Sequence, residues 1–170
     1  MLPLIRTLFD IALLRKGPES VPRSGILLLM SLVLWALAVA AYNTVFESTN
    51  QVSFQRESFG FILGLACYFS VLTVAQVPDR AMQTFTALIG CGAIMVLCFI
   101  AMVVTLGQLL GNLFVSMLVL TYLIWSISVE GHIIARAIDR ALYIGVIIAF
   151  VVFVLQIGAL EMVFPGTPES

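Results

Sequence analysis

Charge is what this chain has least of. Of its 170 residues only 17 are Asp, Glu, Lys or Arg, and His132 is the single histidine. Soluble domains carry about 25% charged and about 45–50% apolar residues. Here the shares are 10% and 62%, with a mean hydropathy of +1.15. So few charged side chains cannot cover a water-facing surface, which excludes a soluble domain and leaves lipid as the solvent. The formal net charge of −1 gives no reason to expect a nucleic-acid partner.

The polar inventory is equally thin where catalysis is concerned. No H-E-x-x-H, G-x-S-x-G, Walker-type loop or G-x-G-x-x-G occurs. His132 has no spaced partner for zinc. Ser70 and Ser116 lie within apolar runs, away from His132, so no nucleophile–base pair and no enzyme is expected. Cys67, Cys91 and Cys98 all fall in apolar runs and read as small buried hydrophobes, implying no metal, cofactor or disulfide framework.

What remains is long hydrophobic sequence. Apolar runs cover about 25–42, 59–76, 81–105, 109–128 and 141–160. A helix rising 1.5 Å per residue needs about 20 residues to cross a hydrocarbon core of about 30 Å, so each run can span. The runs are continuous rather than alternating, which favours helices over a barrel. Residues 81–128 contain no charge over 48 positions, too many for one crossing. The Gly and polar cluster at Thr105, Gly107, Gln108, Gly111 and Asn112 predicts the turn between spans three and four. The expected architecture is an all-α, polytopic bundle of five transmembrane helices over 25–161. A segment at 1–24 precedes it and a short tail at 162–170 follows.

Orientation follows from where the cations fall. Arg6, Arg15, Lys16 and Arg23 precede the first run, Arg80 follows the second, and Arg136 and Arg140 follow the fourth. Five spans put these seven on one side and leave Arg56 alone on the other, which predicts a cytoplasmic N-terminus and an outward C-terminus. Were the third and fourth runs a single span, Arg136 and Arg140 would move to the opposite side. About 24 residues, including Asp10 and Glu19, stand before the first run, so it is read as a retained span rather than a cleaved signal.

Residues 4–14 form a separate element. Ile5, Leu8, Phe9 and Ala12 recur at helical spacing, and Arg6 and Asp10 stand four apart on another face. The helix is too short to span. It is expected to lie amphipathically in the membrane interface with Arg15 and Lys16 at the lipid headgroups, the other reading being a packed cytoplasmic cap. Gly17-Pro18 ends it.

Two further groups stand out. Residues 130–140 hold Glu130, His132, Arg136, Asp139 and Arg140 and are predicted as a cytoplasmic connection. Its His132, Arg136 and Arg140 are candidate contacts for a partner or anionic lipid. Gly60 and Gly64 form a G-x-x-x-G that permits close helix approach, within the monomer or in a homo-oligomer, and Gln156 requires a partner on a neighbouring helix. Ser70, Thr73, Ser116, Thr121 and Ser126 are deep but can bond their own helix carbonyls. No carboxylate or cation is expected well inside any span, which argues against a solute pathway.

The run Leu14-Arg15-Lys16-Gly17-Pro18-Glu19-Ser20-Val21-Pro22 precedes the first span. A second run passes from Leu123-Ile124-Trp125-Ser126 through Glu130-Gly131-His132 to Arg136. With five spans between and around them, the chain resembles small proteobacterial inner-membrane proteins and, in architecture, the Yip-type superfamily. That resemblance implies a bacterial inner-membrane location. The superfamily's Rab-binding role does not carry over, because its aspartate–leucine–tyrosine–glycine–proline motif is absent and only Gly17-Pro18 stands in a comparable place. The expected function is a non-enzymatic scaffold or adaptor binding a protein partner or lipid at the cytoplasmic face. The alternative is an oligomeric channel or small-solute transporter.

Overall fold

Each apolar run becomes a helix, because a backbone in hydrocarbon must satisfy its N–H and C=O groups within the segment. The computed structural model describes residues 2–46 and 51–165, and all the regular structure among them is helical. A short α1 (Leu2–Ala12) precedes α2 (Gly25–Val45), α3 (Gln51–Val74), α4 (Ala81–Met102), α5 (Gln108–Ala137) and α6 (Leu142–Val163). The last five contain segments long and apolar enough to cross a membrane.

The breaks occur where side-chain chemistry forbids a continuing helix. Pro18 opens a 3-10 turn after α1, and Pro78 opens another between α3 and α4. After α4 the chain widens into a π-helical turn at Val103–Gly107, then departs from helical geometry at Gly111, with φ +77°. Only glycine holds that conformation without strain, and the reversal falls inside the expected 105–112 turn. Asp139 (φ +52°) ends α5 in the left-handed region that Asp tolerates better than most residues.

α5 continues through Glu130 to Ala137, past the predicted end of the fourth span at 128. Val129, Ile133, Ile134, Ala135 and Ala137 are all buried there, so tertiary packing keeps the segment helical despite its polar residues. Residues 130–137 are therefore the last two turns of a helix rather than a loop.

Small residues set the tightest contact, between α5 and α6. A β-carbon on Gly145 would lie 2.7 Å from the Ala135 β-carbon, and one on Gly131 would lie 2.6 Å from the Val146 α-carbon. Neither site has room for a side chain, so the two backbones approach directly. On the other side α2 packs along α4, and α3 reaches α6.

Part of the apolar face of α1 is covered by protein. Leu8, Ile11 and Ala12 are buried in one cluster with Ala87, Cys91, Ile94 and Met95 of α4 and Val129 and Ile133 of α5. The Cys91 thiol donates to the Leu8 carbonyl at 3.4 Å, and Trp125 Nε1 donates to the Ala12 carbonyl at 3.2 Å. Asp10 pairs with Lys16 at 2.7 Å rather than with Arg6 in the same helix. The structure thus packs one side of α1 into a protein groove, as the packed reading expects, while Phe9 of the same helix and Leu13 just after it stay exposed.

Candidate functional site

Glu130 is the unexpected residue. It stands seven positions before Ala137, about 10 Å inside the end of α5 at 1.5 Å per residue. The Tyr68 hydroxyl of α3 donates to its Oε2, and the Ser126 hydroxyl, one turn back on α5, lies 3.4 Å from its Oε1. Tyr68 is itself buried against Ile134 and Val152, so the packing of α3, α5 and α6 fixes the donor.

The carboxyl borders a cavity of about 210 Å³ at the centre of the bundle, and all five long helices contribute to its wall. Trp35 comes from α2, Phe61, Gly64 and Tyr68 from α3, Gly92 from α4, Tyr122 and Ser126 from α5, and Gln156 from α6. At about 30 Å³ of liquid per water, the space corresponds to about seven waters. Among the described residues its lining includes no Lys, Arg or His. Trp35 and Phe61 stack at 4.0 Å between centroids and form one aromatic wall.

Gln156 of α6 belongs to the same lining. Its Nε2 donates to the Gly60 carbonyl at 2.7 Å, passing over Gly64, where a β-carbon would collide with that amide. The three residues singled out for helix packing thus meet at one α3–α6 contact. An amide donor satisfied by a backbone carbonyl in this way ties two helices together.

A second polar region caps the helix ends beyond Glu130. A cavity of about 340 Å³ lies among Arg23, Arg80, Arg136, Glu19 and Asp139. Arg136 pairs with Glu19 at 2.9 Å; Arg80 pairs with Asp139 at 2.6 Å and donates to the Ala137 carbonyl at 2.9 Å. Arg23 Nε reaches Gln83 at 3.2 Å, and Gln83 in turn holds the Val21 carbonyl at 2.7 Å. Such exposed pairs are each worth about 0–1 kcal/mol.

The predicted contact residues divide accordingly. Arg136 lines that cavity, while His132 Nε2 lies 2.9 Å from the Lys16 carbonyl and secures the chain after α1. The side chain of Lys16 is committed to Asp10, and Arg15 and Arg140 are exposed outside the cavity. No protein-family model, curated protein or solved structure matches the chain.

Sequence reasoning missed Glu130 because it shares a short stretch with His132, Arg136, Asp139 and Arg140 and so looked like part of a loop. Two signals were available. Ser126 and Glu130 are four apart on one helical face, and Ile133-Ile134-Ala135 continues the apolar sequence beyond the carboxyl. Tyr68, 62 positions away, leaves no local trace.

Proposed function

We propose that this protein is a multi-pass membrane protein that takes a small solute into the centre of its helical bundle, as a carrier or channel component. The carrying observation is Glu130: a carboxyl well inside a spanning helix, facing a cavity to which all five long helices contribute. Ionisable groups within spans are costly and mark solute or proton pathways. The cation distribution supports a cytoplasmic N-terminus, with Arg80 and Arg136 at the cytoplasmic end, and the resemblance to proteobacterial proteins supports an inner-membrane location.

The test is osmotic swelling of proteoliposomes in a panel of small solutes. Swelling faster than in protein-free vesicles is expected for at least one solute. It should fall with Glu130→Gln and with Gly92→Phe, which fills the cavity from a position where a β-carbon meets nothing within 4 Å. Equal swelling with all solutes and variants would overturn the proposal.

The arginine-lined cavity supports a second reading, in which the cytoplasmic end docks a protein partner or anionic headgroup. Absence of flux, together with a stoichiometric partner lost on Arg136→Ala and Arg140→Ala, would favour that scaffold role.

A further inference from the structure

Four aromatic rings and one carboxyl line the cavity, namely Trp35, Phe61, Tyr68, Tyr122 and Glu130, beside the apolar Leu65, Leu88, Ile89 and Val96. Ring faces carry negative potential and attract a cation lying within about 6 Å of the centroid. Glu130 adds a full negative charge in its ionised form, and no basic side chain among the described residues lines the cavity to balance it. An ionised carboxylate away from water is expensive without a counter-charge. The wall thus offers what a positive ligand needs and omits what would compete with one.

We propose that the central cavity binds a small organic cation of the alkylammonium type. Its charge rests against Glu130, and its alkyl groups lie against Trp35, Phe61 and Tyr122. Other ligand classes fit the same wall less well. A hard metal ion takes about six oxygen ligands or more, whereas this lining supplies one carboxyl and scattered hydroxyls, and the Gln156 amide nitrogen is committed to Gly60. An anion meets like charge at an ionised Glu130, whereas a cation beside the carboxyl favours that ionised form. Size narrows the class further. The cavity, at about 210 Å³, is smaller than the roughly 300–1,000 Å³ that hold drug-sized ligands, so the cation has few heavy atoms. This ligand class rests on the reading of the cavity as a solute site.

The chain's two tryptophans make binding directly observable, since Trp35 lines this cavity and Trp125 does not. Full-length protein carrying Trp125→Phe is titrated in detergent with tetramethylammonium chloride. Parallel titrations use tert-butanol as a neutral probe of similar shape and sodium sulfate as an anion. Saturable change of Trp35 emission by tetramethylammonium alone is expected. Affinity should weaken about tenfold or more in Glu130→Gln, because the charge-assisted part of the attraction is lost, and remain close to the parent in Glu130→Asp. Thermal melting of each variant verifies folding, and Gly92→Leu, which adds a side chain to the cavity wall from α4, should also abolish the signal. If tert-butanol binds as well as tetramethylammonium and Glu130→Gln changes neither, the cation class is overturned and the solute site survives. If no probe binds folded protein although the vesicles swell, the cation class alone again falls. No binding together with no swelling overturns both.

Discussion

Gly145→Ala is the smallest change that strikes the framework of the central site. The added β-carbon would lie 2.7 Å from the Ala135 β-carbon and 2.8 Å from the Ala135 nitrogen, and would also strike the Gly131 carbonyl. Carbon atoms rest at about 3.5–4.0 Å, so α5 and α6 must separate by about 1 Å locally. Backbone atoms on the opposing helix cannot rotate away, as the end of a long side chain could. Overpacking of this kind costs about 1–3 kcal/mol. In lipid, where helix association depends on close packing rather than on hydrophobic burial, contacts along the whole crossing weaken together. Gly158→Ala on the same helix is the control: nothing lies within 4 Å of its β-carbon, and replacing an exposed helical glycine can gain up to about 1 kcal/mol of helix propensity. Thermal or denaturant unfolding in one detergent should show Gly145→Ala below the parent and Gly158→Ala at or above it. Because Gly131 adjoins Glu130, the displaced α5 should also lose tetramethylammonium affinity. A Gly145→Ala protein that unfolds with the parent and binds normally would refute the tight-crossing account.

Two further outcomes concern α1, reported by Trp125 emission in a Trp35→Phe background because the Trp125 indole donates to the Ala12 carbonyl. Leu8→Ala removes a fully covered side chain between α1 and α4, and at about 2–5 kcal/mol for a buried leucine it should undock α1 while the five long helices keep their helical circular dichroism. The Lys16 hydrogen bond, aided by the charges of Lys16, Arg6 and Arg15, holds the Asp10 carboxyl below its ordinary value of 3.8. The docking contribution of this pair is therefore present above that value and lost as pH falls through the lower, folded-state value. Acidification into that range should shift Trp125 emission in the parent, and Asp10→Asn should already be shifted and lack the step.

The sequence displayed the spans because lipid imposes a local rule: about 20 continuous apolar residues, bounded by charge or by turn residues such as Gly111 and Pro78. What it hid was which neighbour covers each face. The stripe of Leu8, Ile11 and Ala12 is equally suited to headgroups or to protein, and only Gly90, Cys91 and Val129 across the groove decide between them. Glu130 shows the same limit. It shares its stretch of chain with His132, Arg136, Asp139 and Arg140, while the group that donates to it is Tyr68 of α3, and aromatic rings from other helices line the same cavity. Gly60, Gly64 and Gln156 lay between these cases: each was recognisable as demanding a partner, and the structure makes them partners of one another.

During synthesis, whatever lies at the tip of a membrane hairpin must be carried through the hydrocarbon. The turn around Gly111, from 103 to 112, holds no ionisable side chain. A single Lys or Arg there would add about 2.5–3.5 kcal/mol at the middle of the crossing. With the N-terminus cytoplasmic, as proposed, α4 and α5 can enter the bilayer tip first as a pair, leaving Arg80 and Arg136 on the side of entry. The sequence between α2 and α3 differs, because it contains Glu47. An uncharged turn thus marks the two of the five long helices that a membrane can accept in a single step.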